Sequence, residues 1–207
     1  MNERGKPMGS PKSWEGKIRR VLVTDGDYIH TLGIVRWLGR AGLDVSVIGT
    51  TAHAPALHSR FCRNAIVGPP PNDEGPYLAF LQRALSETPF DVLIPVSVTN
   101  TRLVSRHRTQ LAPLVHFEVA DPESINIAFN KKTTYALAQE LGVPCPRTLY
   151  PKRLAEVEDL STRVDYPIVI KALLEEGENV VRYPQSRTEL LDAYSFLRVD
   201  VFLAAFS

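Results

Sequence analysis

Lys171 ends the segment Tyr166-Pro-Ile-Val-Ile-Lys171, in which the β-branched Ile168, Val169 and Ile170 read as a buried strand. An ammonium there either reaches solvent over its own apolar stem or takes an anionic partner, because burying it alone costs several kcal/mol. A phosphate is one anion that fits. A second set of reactive side chains lies near the other end of the chain. Val21-Leu-Val-Thr-Asp-Gly-Asp27 leads an apolar strand into a turn with two carboxylates, Asp25 and Asp27, on either side of Gly26. Thr50 and Thr51 follow the apolar run at 44–49, and Ser97, Thr99 and Asn100 follow the one at 91–95. Polar groups at every strand end suit a small polar ligand, and Asp25, Gly26, Ser97 and Asn100 are the candidate substrate-binding residues. Turn-forming residues in solvated loops give the same pattern without a ligand.

The elements that must position these groups alternate strand and helix. After the short apolar strand that begins at Arg19 and runs into this turn, Thr31–Ala41 has helical spacing in Leu32, Val35, Trp37 and Leu38, and Gly42 suits a left-handed position beyond the helix end. Asp44–Gly49 is the next strand, which makes a βαβ unit and hence a parallel sheet. Asn64–Gly68 is a strand, Tyr77–Ser86 a helix, Asp91–Pro95 the most apolar and therefore a central strand, Val98–Leu111 a helix and Val115–Val119 a fifth strand. Residues 19–120 thus read as a doubly wound, mostly parallel, Rossmann-like α/β domain, whose ligands lie beyond the strands' carboxyl ends. The first turn has only Gly26 and Gly33 where a dinucleotide fingerprint needs G-x-G-x-x-G, and Asp25 and Asp27 would repel a pyrophosphate. The P-loop pattern is absent.

Asp121-Pro-Glu-Ser124 opens a short helix, and Lys131–Leu141 a longer one closed by Gly142. A strand at 148–150, a helix at 154–162, the lysine-bearing strand at 166–173 and its hairpin partner at 179–183 follow. Ser186 and Glu189 form a capping box before a helix at 190–197. Residues 121–207 read as linker helices and a small α+β lobe.

Across 207 residues, hydrophobic content of 44% and charged content of 23% are those of an ordinary globular protein. A net charge of +1 gives no electrostatic reason to expect nucleic acid, and no apolar window is long enough for a membrane span. Cys62 and Cys145 have no metal-ligand spacing, which fits reduced thiols in a cytoplasmic protein. The polar stretch 1–18 is expected to be a disordered tail.

Three segments in order, Val21-Leu-Val-Thr-Asp-Gly26, Asn130-Lys131 through Leu141-Gly-Val-Pro-Cys-Pro-Arg-Thr148, and Tyr166-Pro-Ile-Val-Ile-Lys171, resemble the ATP-grasp superfamily. The likeness is to its carboxylate–amine ligases of the carbamoyl phosphate synthetase large-chain type, and it covers roughly 19–197. It implies a pre-ATP-grasp domain followed by the start of the ATP-grasp N-terminal lobe. It further implies that Lys131 and Lys171 reach the phosphates of ATP and that the loop Leu174-Glu-Glu-Gly-Glu-Asn179 closes over them through Gly177. The cofactors implied are ATP and Mg²⁺, and the substrates a small-molecule carboxylate and an amine. That loop has one glycine among Glu175, Glu176 and Glu178, and Asn130 stands where the family often has aspartate. The adenine hinge, acidic metal ligands and catalytic lobe of the family have no counterpart in these residues. The resemblance therefore implies a portion inactive alone: a fragment, a frameshifted or truncated product, or one part of a split enzyme completed by a second chain or a homo-oligomer. The alternative is a non-catalytic α/β module for small-molecule binding or assembly.

Overall fold

The computed structural model describes residues 18–172, 181–197 and 201–205. The chain divides into two units, Met1–Val119 and Ala120–Ser207.

In the first unit the order is β1 (Arg20–Val23), α1 (Ile29–Arg40), β2 (Asp44–Gly49), a 3₁₀ turn (Pro55–His58), β3 (Cys62–Val67), α2 (Glu74–Glu87), β4 (Val92–Ile94), α3 (Val98–Arg106) and α4 (Arg108–Leu111). The strands pair in parallel in the order β3-β2-β1-β4. Side chains alternate across this sheet as the two-residue period requires. Val21, Val23, Val45 and Val47 pack with Val35 of α1 and Leu57. Leu22, Ile48 and Leu93 pack on the other side with Tyr77, Leu81 and Leu85 of α2 and Leu103 and Val104 of α3. Each of these buried side chains contributes about 1.5–3 kcal/mol against leaving it exposed. Gly42, at φ 85°, takes the left-handed turn after α1.

Three expectations are corrected here. Val115–Val119 is not a fifth strand: His116 makes a single parallel bridge to Val92, where the Leu93 amide donates to the His116 carbonyl at 2.8 Å. The apolar alternation of that segment is used instead to send Val115 and Phe117 into the core. β4 is accordingly an edge of the four-stranded sheet rather than its centre, with only that bridge beyond it. Pro95 offers no amide to extend the ladder, and the amides of Val96 and Ser97 turn to Asp25. The expected helix 98–111 is interrupted at His107, whose Nε2 lies 2.7 Å from Glu74 Oε1.

The second unit contains α5 (Pro122–Ala128), α6 (Lys131–Glu140), β5 (Arg147–Leu149), α7 (Leu154–Leu160), β6 (Ile168–Ala172), β7 (Val181–Arg182), α8 (Arg187–Leu197) and β8 (Val201–Ala205). Its sheet is antiparallel, in the order β5-β8-β6-β7. β8 occupies an interior position although its sequence, lacking turn signals and polar alternation, does not mark it as a strand. α8 starts at the expected capping box: the Glu189 amide donates to Ser186 Oγ at 3.3 Å, and the Glu189 carboxylate accepts from the Gln185 amide at 3.0 Å. No helix among the described residues is long and apolar enough to cross a membrane. The fold class is the α/β architecture that the sequence indicates.

Two surface carboxylates of the first unit are held in their charged form by hydrogen bonds. Asp91 accepts from the amides of Arg19 and Arg20, both at 2.8 Å, and these bonds hold its pKa below the usual range. Hydrogen bonds from His107 and Arg106 do the same for Glu74. A pKa depressed in the folded state contributes stability above the unfolded-state value, and that contribution is lost as pH falls through the folded value. The urea midpoint is therefore expected to drop as pH falls below about 4. Asp91→Asn should flatten part of that slope; an unchanged slope would dissociate acid sensitivity from this contact.

Candidate functional site

Two places hold the candidate residues, one in each unit. In the second unit, β6 presents Ile168 and Ile170 to one face, where both are fully buried with Val157 of α7 and Leu190 of α8. Alternation sends Val169 and Lys171 to the opposite face. Val169 is buried there against Tyr135 of α6, Tyr150 and Val181 of β7. Lys171 is half-buried and stands between Val181 and Phe202 in the strand register.

α6 is aimed at this same face by its start. Asn130 is its N-cap, with Oδ1 accepting from the Lys132 amide at 3.0 Å and the Thr133 amide at 3.5 Å. Asparagine thus serves the capping role that aspartate could fill. Lys131 is the first helical residue, one turn before Tyr135, so it shares the helix side that meets Val169. Its Nζ is withdrawn from solvent. Lys132 Nζ lies 5.7 Å from the centroid of the Tyr150 ring, a cation–π distance. Burial, with Tyr135 and Cys145 nearby, pushes the Tyr150 hydroxyl pKa up.

Lys131 and Lys171 are therefore brought to the α6 side of one sheet, bordered by two tyrosines. Such a set of ammonium groups against aromatic rings can hold an anion with an apolar moiety. Sequence reading puts Tyr135 on the apolar side of the helix at 131–141 and assigns none of Lys132, Tyr135 and Tyr150 to a site. The available signal was the helical spacing of Tyr135 from Lys131. Gly177 and its loop, 174–179, lie outside the described residues.

The second place is the carboxyl end of the parallel sheet. Strand order reverses between β1 and β4, the position where such sheets open a crevice. Asp25 fills its mouth. Its Oδ2 accepts from the Val96 amide at 3.1 Å, the Ser97 amide at 2.9 Å and the Thr24 hydroxyl, while Oδ1 accepts from Asn100 Nδ2 at 2.8 Å. Asp25 is only 6% exposed, at φ 63°, a left-handed conformation that aspartate tolerates better than most residues. Ser97 caps α3, its Oγ accepting from the Asn100 amide at 3.1 Å. Asp27 joins β1 to β2 through the Thr50 amide at 2.8 Å and hydroxyl at 2.9 Å. Gly26 passes close to β2, where a Cβ would meet Val47 Cγ1 at 3.0 Å and the Ile48 carbonyl at 3.1 Å. The four residues Asp25, Gly26, Ser97 and Asn100 do come together, and each has a structural task within the unit. Burial and the Asp25 charge push the pKa of Tyr77, beside Asn100, far up.

No protein-family model matches the chain, and no curated protein sequence matches it. Solved structures do. An L-amino acid ligase from Bacillus licheniformis superposes with a TM-score of 0.71 at 19% identity, covering 91% of this chain and 44% of that one. The biotin carboxylase domain of 2-oxoglutarate carboxylase from Hydrogenobacter thermophilus, in complex with MgADP, ADP and bicarbonate, gives 0.64 at 18%, with 91% and 44% covered. Carboxyaminoimidazole ribonucleotide synthase from Aspergillus clavatus, complexed with ATP, gives 0.64 at 17%, with 91% and 47% covered. The fold is that of the N-terminal part of ATP-grasp enzymes. At these identities the likeness is one of fold, and the chain spans less than half the length of each of these structures.

Proposed function

We propose that this chain is the N-terminal portion of an ATP-dependent carboxylate–amine ligase, with residues 19–120 as the pre-ATP-grasp domain and 121–207 as part of the ATP-grasp N-terminal lobe. The observation that supports this reading is the packing of Val169 against Tyr135 and Tyr150, on the face of β6 that strand alternation gives to Lys171, with Lys131 one helical turn before Tyr135, in a chain of this fold. The two ammonium groups offset phosphate charge and so favour transfer of the terminal phosphoryl group. In that reaction a substrate carboxylate oxygen bonds to the γ-phosphorus and ADP departs. An amine then attacks the acyl carbon and inorganic phosphate leaves, giving an amide-type bond.

Lys132 and Tyr150 line the same face, and Gly177 belongs to the loop assigned to cover the phosphates. Among the described residues, no group of three or more carboxylate, imidazole or thiol side chains could hold a metal. Mg²⁺, when bound, would be held by the nucleotide phosphates and by residues outside this set. Turnover requires the rest of the fold, from a further segment or a second chain. The 207 residues alone are a nucleotide half-site in a cytoplasmic enzyme.

Calorimetry with ATP tests this on the purified chain, with and without Mg²⁺, beside Lys171→Ala and Lys131→Ala variants that retain the wild-type circular dichroism. Saturable binding weakened tenfold or more by either change, about 1.4 kcal/mol or more, is the expected result. Binding that is absent in the wild type, or indifferent to both substitutions, would overturn the half-site.

A further inference from the structure

The other side of the second sheet has a cleft of its own. β7 is an edge strand in the order β5-β8-β6-β7, and its residues alternate. Val181 joins Val169 on the face that carries Lys171, so Arg182, paired with Ile170, lies on the α8 side. There a cleft of about 360 Å³ runs between β7 and α8, lined by Arg182, Tyr183 and Pro184 from the strand and by Glu189, Asp192 and Phe196 from the helix. The three helical residues recur with the helical period, so they form one stripe along the cleft.

The lining combines both charges with aromatic rings. Among the described residues of the second unit, the exposed large aromatic side chains are Tyr183, 61% exposed, and Phe196, 71% exposed, and both border this cleft. The Arg182 guanidinium lies 5.8 Å from the centre of the Phe196 ring, a cation–π distance, and its Nη1 donates to the Val181 carbonyl at 3.2 Å. Those contacts hold the group in place and leave most of its five N–H donors for an anion. Towards the start of α8, Glu189 accepts the Gln185 amide, and Asp192 follows one turn later, in no hydrogen bond or ion pair among the described residues. Two like charges so placed on a helix repel, and a bound cation relieves them. Asp192 precedes Phe196 by four residues, about 6 Å along the helix axis.

We propose that this cleft binds a small zwitterion, with its carboxylate on Arg182, its ammonium on Asp192 and its apolar body against Tyr183 and Phe196. Glu189 adds negative potential behind the ammonium. The spacing of the charges selects the class of ligand. A single α-amino acid carries its two charges on one carbon, too close together to reach both groups. Two residues in extended form span about 7 Å, so an apolar dipeptide fits. The guanidinium meets its carboxylate with parallel N–H donors, which adds direction to the charge. The charged groups are open to solvent and screened, so the dissociation constant is on the order of millimolar. The cleft belongs to the second unit alone and faces away from Lys171, so it is independent of the nucleotide half-site.

Calorimetric titration of the purified chain with L-leucyl-L-leucine tests it, beside the N-acetylated dipeptide and the dipeptide amide, each of which lacks one charge. Saturable binding of the free dipeptide is expected, weakened about threefold or more by either block, the size of an exposed ion pair. Asp192→Asn should abolish the preference for the free over the acetylated peptide, and Arg182→Gln the preference for the free over the amidated one. Both side chains are exposed, so both variants should keep the wild-type thermal midpoint. Lys171→Ala should bind the dipeptide as the wild type does, which separates this cleft from the nucleotide face. Absence of saturable binding, equal binding of the blocked peptides, or a loss seen in Lys171→Ala and not in the Asp192 and Arg182 variants would overturn the proposal.

Discussion

Asp25→Ala is expected to lower the stability of the first unit by about 3–5 kcal/mol, read as a fall in the urea midpoint at constant slope. The carboxylate is the shared acceptor for four donors: the Val96 and Ser97 amides, the Asn100 side chain and the Thr24 hydroxyl. Removing it leaves the Ser97 amide and the Asn100 side chain without this acceptor in a place that water barely reaches, while the Val96 amide keeps Thr24 Oγ1 at 3.3 Å. Each buried unmet donor costs about 1–3 kcal/mol, reduced by whatever relaxation admits water. Alanine at φ 63° adds backbone strain of its own. Asp25→Asn keeps an acceptor oxygen but turns an NH₂ group toward a donor, and should fall between alanine and wild type. A change below about 1 kcal/mol for alanine would separate the carboxylate from the fold and give new weight to ligand binding there.

Adjacent positions on β6 should respond in opposite ways. Ile170 is fully buried with Val157 and Leu190, so Ile170→Ala is expected to cost the second unit about 2–5 kcal/mol. Lys171 faces the other side and is half-buried, so Lys171→Ala should change stability by less than about 1 kcal/mol while weakening ATP binding. Parallel denaturation and calorimetry on the two variants distinguish a fold residue from a ligand residue one step away. Equal destabilisation by both would mean that the lysine stem is part of the core, and the loss of binding could then not be assigned to its charge.

The two-residue and helical periods made most of this architecture legible. Val21, Leu22 and Val23 marked a strand buried on both faces, and Asp44–Gly49 is a strand with the bounds its pattern suggests. What stayed hidden was use rather than type. Val115 and Phe117 alternate like a strand, yet the alternation serves the core and only His116 joins the ladder. The segment 201–205 shows no polar alternation, and a continuous apolar run fits a helix as well as a strand. In the candidate sites, Lys171 was legible because charge after a β-branched run is conspicuous. Tyr150 was not, since the contact that matters comes from Lys132, distant in sequence. The paired carboxylates of the first turn carried an ambiguity that only geometry could resolve. Both Asp25 and Asp27 tie strand ends together, a task any solvated turn sequence could equally have announced.

The interior place of β8 also sets an order of events in synthesis. The first unit has all four of its strands once residue 94 has been made, and the last side chain of its core, Phe117, is made before β5 begins. β5, by contrast, has β8 as its sheet neighbour, with Arg147 set against Ala205. Closing that loop incurs the entropic cost of long-range pairing, which slows folding. A nascent chain would therefore hold a finished first unit beside a second whose β6–β7 hairpin waits with an open edge. That edge is where a chaperone, or misassembly with another nascent chain, would first find purchase.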